Sequence, residues 1–274
     1  MNRVRNIVTG LLGFLCIPAF AATVATALPD TLSQGGLVIV QLHRGSLLTV
    51  SGQPVRVGVD GIAVFGAGRD EQGPLVVGVT EPHRRTEITR ITITPRDWPI
   101  ERINGVPAAT VNPPPELAAR IEREQAEVTA ARNRDDQRET FLSGFIWPVQ
   151  GRISGRFGNQ RIYNGDPKAP HSGMDIAVAQ GTPVRAPAAG IVTFAAPDLY
   201  LTGGTILLDH GFGLSSNFLH LSKLEVRVGD HVEQGQIIAL SGMTGRATGP
   251  HLHWGFNWLG TRLDPLLLPG IAKP

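Results

Sequence analysis

Thr248-Gly249-Pro250-His251-Leu252-His253-Trp254 reads as a turn that opens into a strand. Glycine and proline break any helix up to residue 250, and on a strand residues two apart share a face. His251 and His253 therefore project together while Leu252 and Trp254 turn to the core. Their imidazoles stand about 7 Å apart along the chain, so that one can bind a metal while the other addresses a water or a substrate. Pro170-His171-Ser172-Gly173-Met174-Asp175-Ile176 has the same grammar. A His and an Asp four apart would share a helix face, but Pro170 and Gly173 argue against a helix. Alternation of Met174, Ile176 and Val178 instead puts Asp175 at the start of a strand, its carboxylate off the apolar face, with His171 in the loop entering it. Imidazole nitrogen and carboxylate oxygen are both zinc donors.

Outward from these two segments the chain is turn-rich. Its 274 residues hold 33 Gly and 21 Pro, too many for long helices to dominate. From Trp147-Pro148 to about Pro269, strands are expected at 190–194, 204–209, 214–220, 236–240 and 251–256. Upstream, 37–93 holds short β-branched runs: 55–59 before Asp60-Gly61 and 62–65 after it form a hairpin signature, and 75–79 and 86–93 add strands. Between the two β regions lies Val111-Asn112-Pro113-Pro114-Pro115, then Glu116 to about Thr140 without Gly or Pro. Pro115 suits a helix start, and Glu116, Arg120 and Glu124 are spaced to pair along one face. The apolar face (Leu117, Ile121, Val128) is thin, so the reading is a largely solvated arm of roughly 36 Å, either a plain linker or a spacer or lid. The expected architecture is mainly β: a small β-sandwich-like N-terminal domain over 30–105, a proline-started helical linker over 113–141, and a C-terminal antiparallel β-sheet domain over 145–270.

Residues 1–27 read as a signal peptide, with Arg3 and Arg5, an apolar run over 7–20, and small residues up to Ala27. Cleavage after Ala21 or Ala27 fits. The apolar run is shorter than the roughly 20 residues that span a bilayer and no second long one follows, so the expectation is an exported protein without stable membrane insertion. Cys16, the single cysteine, falls in the signal, and Leu15 before it is not the small residue of a lipoprotein box. The chain carries 25 Lys and Arg against 23 Asp and Glu, and loss of Arg3 and Arg5 leaves it neutral. With no arginine stripe interleaved with aromatics, no nucleic-acid partner is expected.

His171 to Asp175, Phe218-Leu219-His220-Leu221-Ser222, and Gly242-Met243-Thr244-Gly245 leading to His251-Leu252-His253 together resemble the zinc endopeptidases of the lysostaphin and LytM type, which hydrolyse peptidoglycan. The likeness covers about 145–265, and the β-rich stretch before it is similar to the prodomain of some exported members. The resemblance implies one zinc ion held by His171, Asp175 and His253, with His220 and His251 as the catalytic pair, their individual roles left open. Three protein ligands leave one position for water, as in catalytic rather than structural zinc sites. Peptidoglycan peptide stems or cross-bridges are the implied partner, with Gly-Gly bridges and D-alanyl to diaminopimelate links both open. The signal peptide without an anchoring helix, lipid box or wall-binding repeat favours a periplasmic enzyme on direct cross-links, with secretion as the alternative. Departures are Phe218, where members often carry Tyr, and Gly255, where a Glu often follows the His-x-His. His210 is expected to be structural, to line the groove or to touch substrate; His231 lies in a turn, and His43 and His83 are surface residues.

Two other classes compete. A catalytically silent wall-binding or hydrolase-activating module of the same fold usually lacks one or more zinc residues, whereas all five positions are filled here. A lipoyl or biotin carrier is echoed by the hairpins near 183–190 and 228–236, but Lys168, Lys223 and Lys273 have no carrier-like setting.

Overall fold

The computed structural model describes residues 24–272. Most of the proposed signal, with Cys16, and Lys273 lie outside the described residues. The fold is mainly β, as expected from composition. Its largest sheet orders its strands 231–232, 190–199, 203–211, 214–221, 251–258, 174–177 and 152–155, with 261–263 added beside 251–258. Every pairing in this sheet is antiparallel. The strand Gly203–Gly211 is buried along its whole length, and Met174, Ile176, Ile206, Leu208, Phe218, Leu252 and Trp254 fill one core beneath the sheet. Strand alternation then leaves Asp175 and His253 on the opposite face, paired directly across the ladder. A second small sheet, 183–185, 237–240 and 223–224, covers the core from the other side.

The N-terminal strands form two sheets, one of five strands (31–33, 87–94, 75–80, 47–50, 53–55) and a two-stranded ribbon of Leu37–Gln41 with Ile62–Gly66. Val38, Val40, Ala63 and Phe65 face the five-stranded sheet, whereas Ile39, Ile62 and Val64 pack into the C-terminal core. The ribbon is apolar on both faces because each covers a different core. This differs from the simple hairpin read over 55–65: Val57 meets Ala63 only as an isolated bridge, and Ile62–Gly66 takes Leu37–Gln41 as its partner. Ile100–Ile103, assigned to the N-terminal stretch, pairs in parallel with Gln160–Tyr163.

The linker helix runs Pro115–Arg132, with Pro115 in its first turn, about 27 Å rather than 36 Å. It stops eight residues early because Asn133 caps it and the next acids are drawn into tertiary ion pairs. Arg56 Nε holds Asp135 at 2.7 Å, and Arg138 bridges Asp136 and Asp209. The helix buries no residue, in keeping with a largely solvated arm, but one face is tethered: Arg120 bonds Glu124 at 2.6 Å, and Glu124 accepts the Tyr200 N–H at 2.8 Å, which docks it on the large sheet.

Candidate metal centre

The three side chains read as ligands meet. His171 Nε2, Asp175 Oδ1 and His253 Nδ1 stand 3.0 Å (His171 to Asp175), 3.0 Å (His171 to His253) and 2.9 Å (His253 to Asp175) apart, and all three residues are buried. Hydrogen bonds alone leave this triangle frustrated. The Arg156 carbonyl lies 3.0 Å from His171 Nδ1; a carbonyl only accepts, so the proton sits on Nδ1 and Nε2 carries a lone pair. One proton on His253 Nδ1 then serves one edge, while the lone pairs of His171 Nε2 and Asp175 oppose each other on another. A dication at the centre resolves the conflict. Tetrahedral zinc with bonds of about 2.0–2.1 Å has donor edges of roughly 3.3 Å, close to those observed. His253 would then carry its proton on Nε2, an atom that is buried without a partner.

Electrostatics agree with a metal site. Burial works to raise the Asp175 carboxyl, but the charge and hydrogen bonds of His171 and His253, when these rings are protonated, more than offset this and hold it well below the ordinary carboxylate range. A cation at the centre takes over that role when the rings are neutral. Burial pushes His253 down to about 4, so it is the neutral imidazole a metal requires.

His220 and His251 flank this triangle with ring centroids 4.7 Å apart. Each places Nδ1 2.8 Å from a backbone carbonyl, Thr244 for His220 and Gly249 for His251. That fixes both tautomers, with the lone pair on Nε2. His251 Nε2 lies 3.8 Å from Asp175 Oδ1. His220 stands in the left-handed region at φ 62°, where the ladder slips between Gly204–Leu221 and Ile206–Phe218. This bulge re-aims its side chain into the groove. Burial, with His251 and His253 adding to it, pushes His220 down to about 3.

Three residues were missed in the sequence. Arg161 Nη2 donates to Asp175 Oδ2 at 2.5 Å, Nη1 to the Tyr163 hydroxyl at 2.9 Å, and Nε to Glu101 at 3.3 Å. Glu101 comes from the upstream strand and also accepts from Asn159 at 2.7 Å. Residues two apart on the strand Gln160–Tyr163 put Arg161 and Tyr163 on one face, and the parallel pairing with 100–103 brings Glu101 to them. Trp98 packs against Gly158, whose N–H donates to the His171 carbonyl at 2.9 Å, so the upstream chain also braces the loop carrying His171.

Of the remaining histidines, His210 is fully buried, with Nδ1 2.9 Å from the Ala189 carbonyl and Nε2 2.9 Å from Ser216 Oγ; it is structural and touches no substrate. His231 is exposed on the short strand His231–Val232 rather than in a turn, and His43 and His83 are exposed. Gly255 has a packing reason: a Cβ there would stand 2.5 Å from Asn217 Oδ1, so a larger residue requires the Asn217 side chain to move.

The triangle opens into a cavity of about 870 Å3 lined by His171, His220 and His253 on one wall and by Ile121, Val128 and Arg132 of the linker helix on the other.

The model of peptidase family M23 matches residues 169–265. A crystal structure from Pseudomonas aeruginosa, described under peptidase M23, is similar over 87% of this chain and 95% of its own at 33% identity and a TM-score of 0.65. A Haemophilus influenzae protein described as an uncharacterized metalloprotease is 42% identical over 154 residues, 53% of this chain and 32% of that one. The Vibrio cholerae peptidoglycan DD-endopeptidase ShyA is 41% identical over 111 residues, 39% of this chain and 26% of its own. The chain thus spans about a third or less of the length of these curated relatives.

Proposed function

The chain belongs to peptidase family M23, and from that premise we propose that it is an exported zinc metalloendopeptidase that hydrolyses peptide cross-links of peptidoglycan. The observation that carries the reading is the frustrated triangle of His171, Asp175 and His253 with two tautomer-fixed imidazoles beside it. A silent module has no use for that second pair. Zinc held by the three donors supplies Lewis acidity toward the scissile carbonyl and makes water more acidic.

The chain's own residues do the rest. The Nε2 lone pair of one of the two, His220 or His251, accepts the proton of the attacking water as its oxygen bonds to the carbonyl carbon. The imidazolium so formed returns that proton to the amine as the C–N bond breaks. Arg161 fixes the far oxygen of Asp175 and keeps the near one aimed at the centre. The reading keeps an N-terminal β unit over 30–105, a linker over 113–141 and a peptidase domain over 145–270. The bond proposed is the direct D-alanyl to diaminopimelate link, in keeping with the DD-endopeptidase description of ShyA.

Export rests on residues 1–27, and periplasmic placement on the direct cross-link. Ala25 donates to the Ile39 carbonyl at 3.0 Å and accepts from the Gln41 N–H at 2.8 Å. Cleavage after Ala21 keeps that pairing, and the reading takes that site over Ala27. Among the described residues no helix is long and apolar enough to cross a membrane.

The test is mass spectrometry of muropeptides after digestion of purified walls with the mature chain. Dimers cut to monomers by the wild type, and left intact with chelator or by His171→Ala and Asp175→Ala, is the expected result. Intact dimers with zinc-loaded wild type refute the reading.

A further inference from the structure

The groove that holds the metal triangle carries two guanidiniums, one on each wall, for which the proposed reaction has no use. Arg132 ends the linker helix, and Arg262 lies on the edge strand Thr261–Leu263; both line the cavity that holds His171, His220 and His253. Arg132 Nε is buried with no hydrogen-bond partner. The partner of Arg262 is a neutral amide, its Nη1 donating to Asn257 Oδ1 at 2.6 Å. Among the described residues neither arginine has a carboxylate within 4.0 Å.

A guanidinium nitrogen buried without a partner is costly, and Arg262 lies near enough to repel Arg132. Burial and then the neighbouring Arg262 push Arg132 down to about 9, and burial lowers Arg262. Other cavity charges do not compensate. Six lining residues are Lys or Arg and three are Asp or Glu. With Arg69 paired to Asp70, Arg161 to Asp175 and Glu101, and Glu124 to Arg120, the lining charges outside ion pairs are Arg132, Lys168, Arg246 and Arg262 against Glu71. The groove is built to receive negative charge.

We propose that Arg132 and Arg262 form an anion-binding subsite of the groove that takes a free carboxylate of the peptide stem. The proposal rests on the peptidoglycan reading above and adds to it the group that is recognised. Arg262 pairs with Asn257, which lies four residues beyond His253 on the same strand and the same face. That is about 13 Å from the metal triangle, the reach of three to four extended residues. A carboxylate at that distance from the cleaved bond is what a stem offers at its γ-linked D-glutamate, whose α-carboxylate stands free of the backbone. Bound between the two guanidiniums it would accept paired charge-assisted hydrogen bonds, give the Arg132 Nε–H an acceptor, and tie the linker helix to the sheet across the substrate.

The experiment compares binding of two soluble stem tetrapeptides to the zinc-loaded mature chain by calorimetry. One carries D-glutamate and the other its neutral amide, D-isoglutamine. The acid should bind roughly 10- to 100-fold more tightly. Arg132→Gln and Arg262→Gln should each remove most of that preference while leaving amide binding within about twofold. Arg262→Lys, which keeps the charge, serves if Arg262→Gln fails to fold, and should retain part of the preference. Equal binding of acid and amide by the wild type overturns the subsite, as does an equal loss for both peptides in the variants. Inorganic phosphate competing as strongly as the acid peptide would mark a general anion site and likewise overturn the stem assignment. The two readings fail separately. A chain that prefers the acid but cuts no cross-link refutes the reaction, whereas one that cuts acid and amidated walls with the same KM refutes the subsite.

Discussion

Replacing Gly173 with alanine tests whether the donor triangle is as tightly held as its distances imply. Gly173 lies between the loop bearing His171 and the strand bearing Asp175, and its backbone needs no positive φ, so space alone decides the outcome. A Cβ there would stand 2.6 Å from His253 Nε2, 2.6 Å from the Trp254 carbonyl oxygen and 2.8 Å from Gly255 Cα. Ordinary non-bonded contact is about 3.5 Å, so the two segments must part by roughly 0.9 Å. Two of the three obstacles are backbone of a central strand, and the third is the ring of a ligand. A displacement of that size would stretch a 2.9–3.0 Å edge to nearly 4 Å, well beyond the roughly 3.3 Å edge of a zinc tetrahedron. Overpacking of this kind costs about 1–3 kcal/mol, and if it falls on the site the zinc affinity drops roughly 5- to 150-fold. Gly249→Ala is the control, since a Cβ there meets nothing within 4 Å. Zinc affinity is read by competition with a chromophoric chelator, and circular dichroism confirms the fold. If Gly173→Ala binds zinc within twofold of wild type and melts at the same temperature, the rigid-triangle argument is wrong.

Arg161→Gln leaves the far oxygen of Asp175 without its 2.5 Å donor and should weaken zinc binding roughly 10- to 100-fold, measured by the same competition; unchanged affinity would show that Arg161 only packs. His251→Gln should leave zinc affinity near wild type and lower kcat roughly 10²- to 10⁴-fold, so a variant of undiminished turnover excludes His251 from proton transfer. His210 is pushed down to about 4 by burial. Below its ordinary 6.5 the unfolded chain takes up a proton that the folded one refuses, so stability is intact above pH 6.5 and falls as pH drops toward 4. At pH 5 the loss from this residue is about 2 kcal/mol, visible in urea unfolding of the metal-free protein. An NMR titration of the His210 ring with a midpoint near 6.5 would remove the basis for that figure.

Where the structure departed from expectation, the cause was each time a partner far away in the chain. Residues 133–140 contain no helix breaker, yet the helix ends at Arg132 because Asp135 finds Arg56 and Arg138 reaches Asp209. The run 62–65 was legible as a strand, but its partner was not, since a ribbon covering two cores is apolar on both faces and loses its alternation. His220 was legible as a candidate by resemblance; the bulge that aims it depends on how two strands slip past each other. Glu101 and Arg161 gave no local signal as a pair, being 60 residues apart.

The sequence by itself determined the β character, from its glycine and proline content, and the face on which Asp175, His251 and His253 stand, because strand alternation is a property of the local backbone. It also named His171, Asp175 and His253 as candidate metal donors, through the resemblance of its motifs to the lysostaphin and LytM type. Tertiary structure alone decided that these donors meet within 3.0 Å, that the upstream strand supplies Glu101 behind Arg161, and that the linker helix walls the groove and brings Arg132 into the company of Arg262. Those outcomes depend on strand register and on long-range charge pairing, which come into being only when distant segments pack against one another.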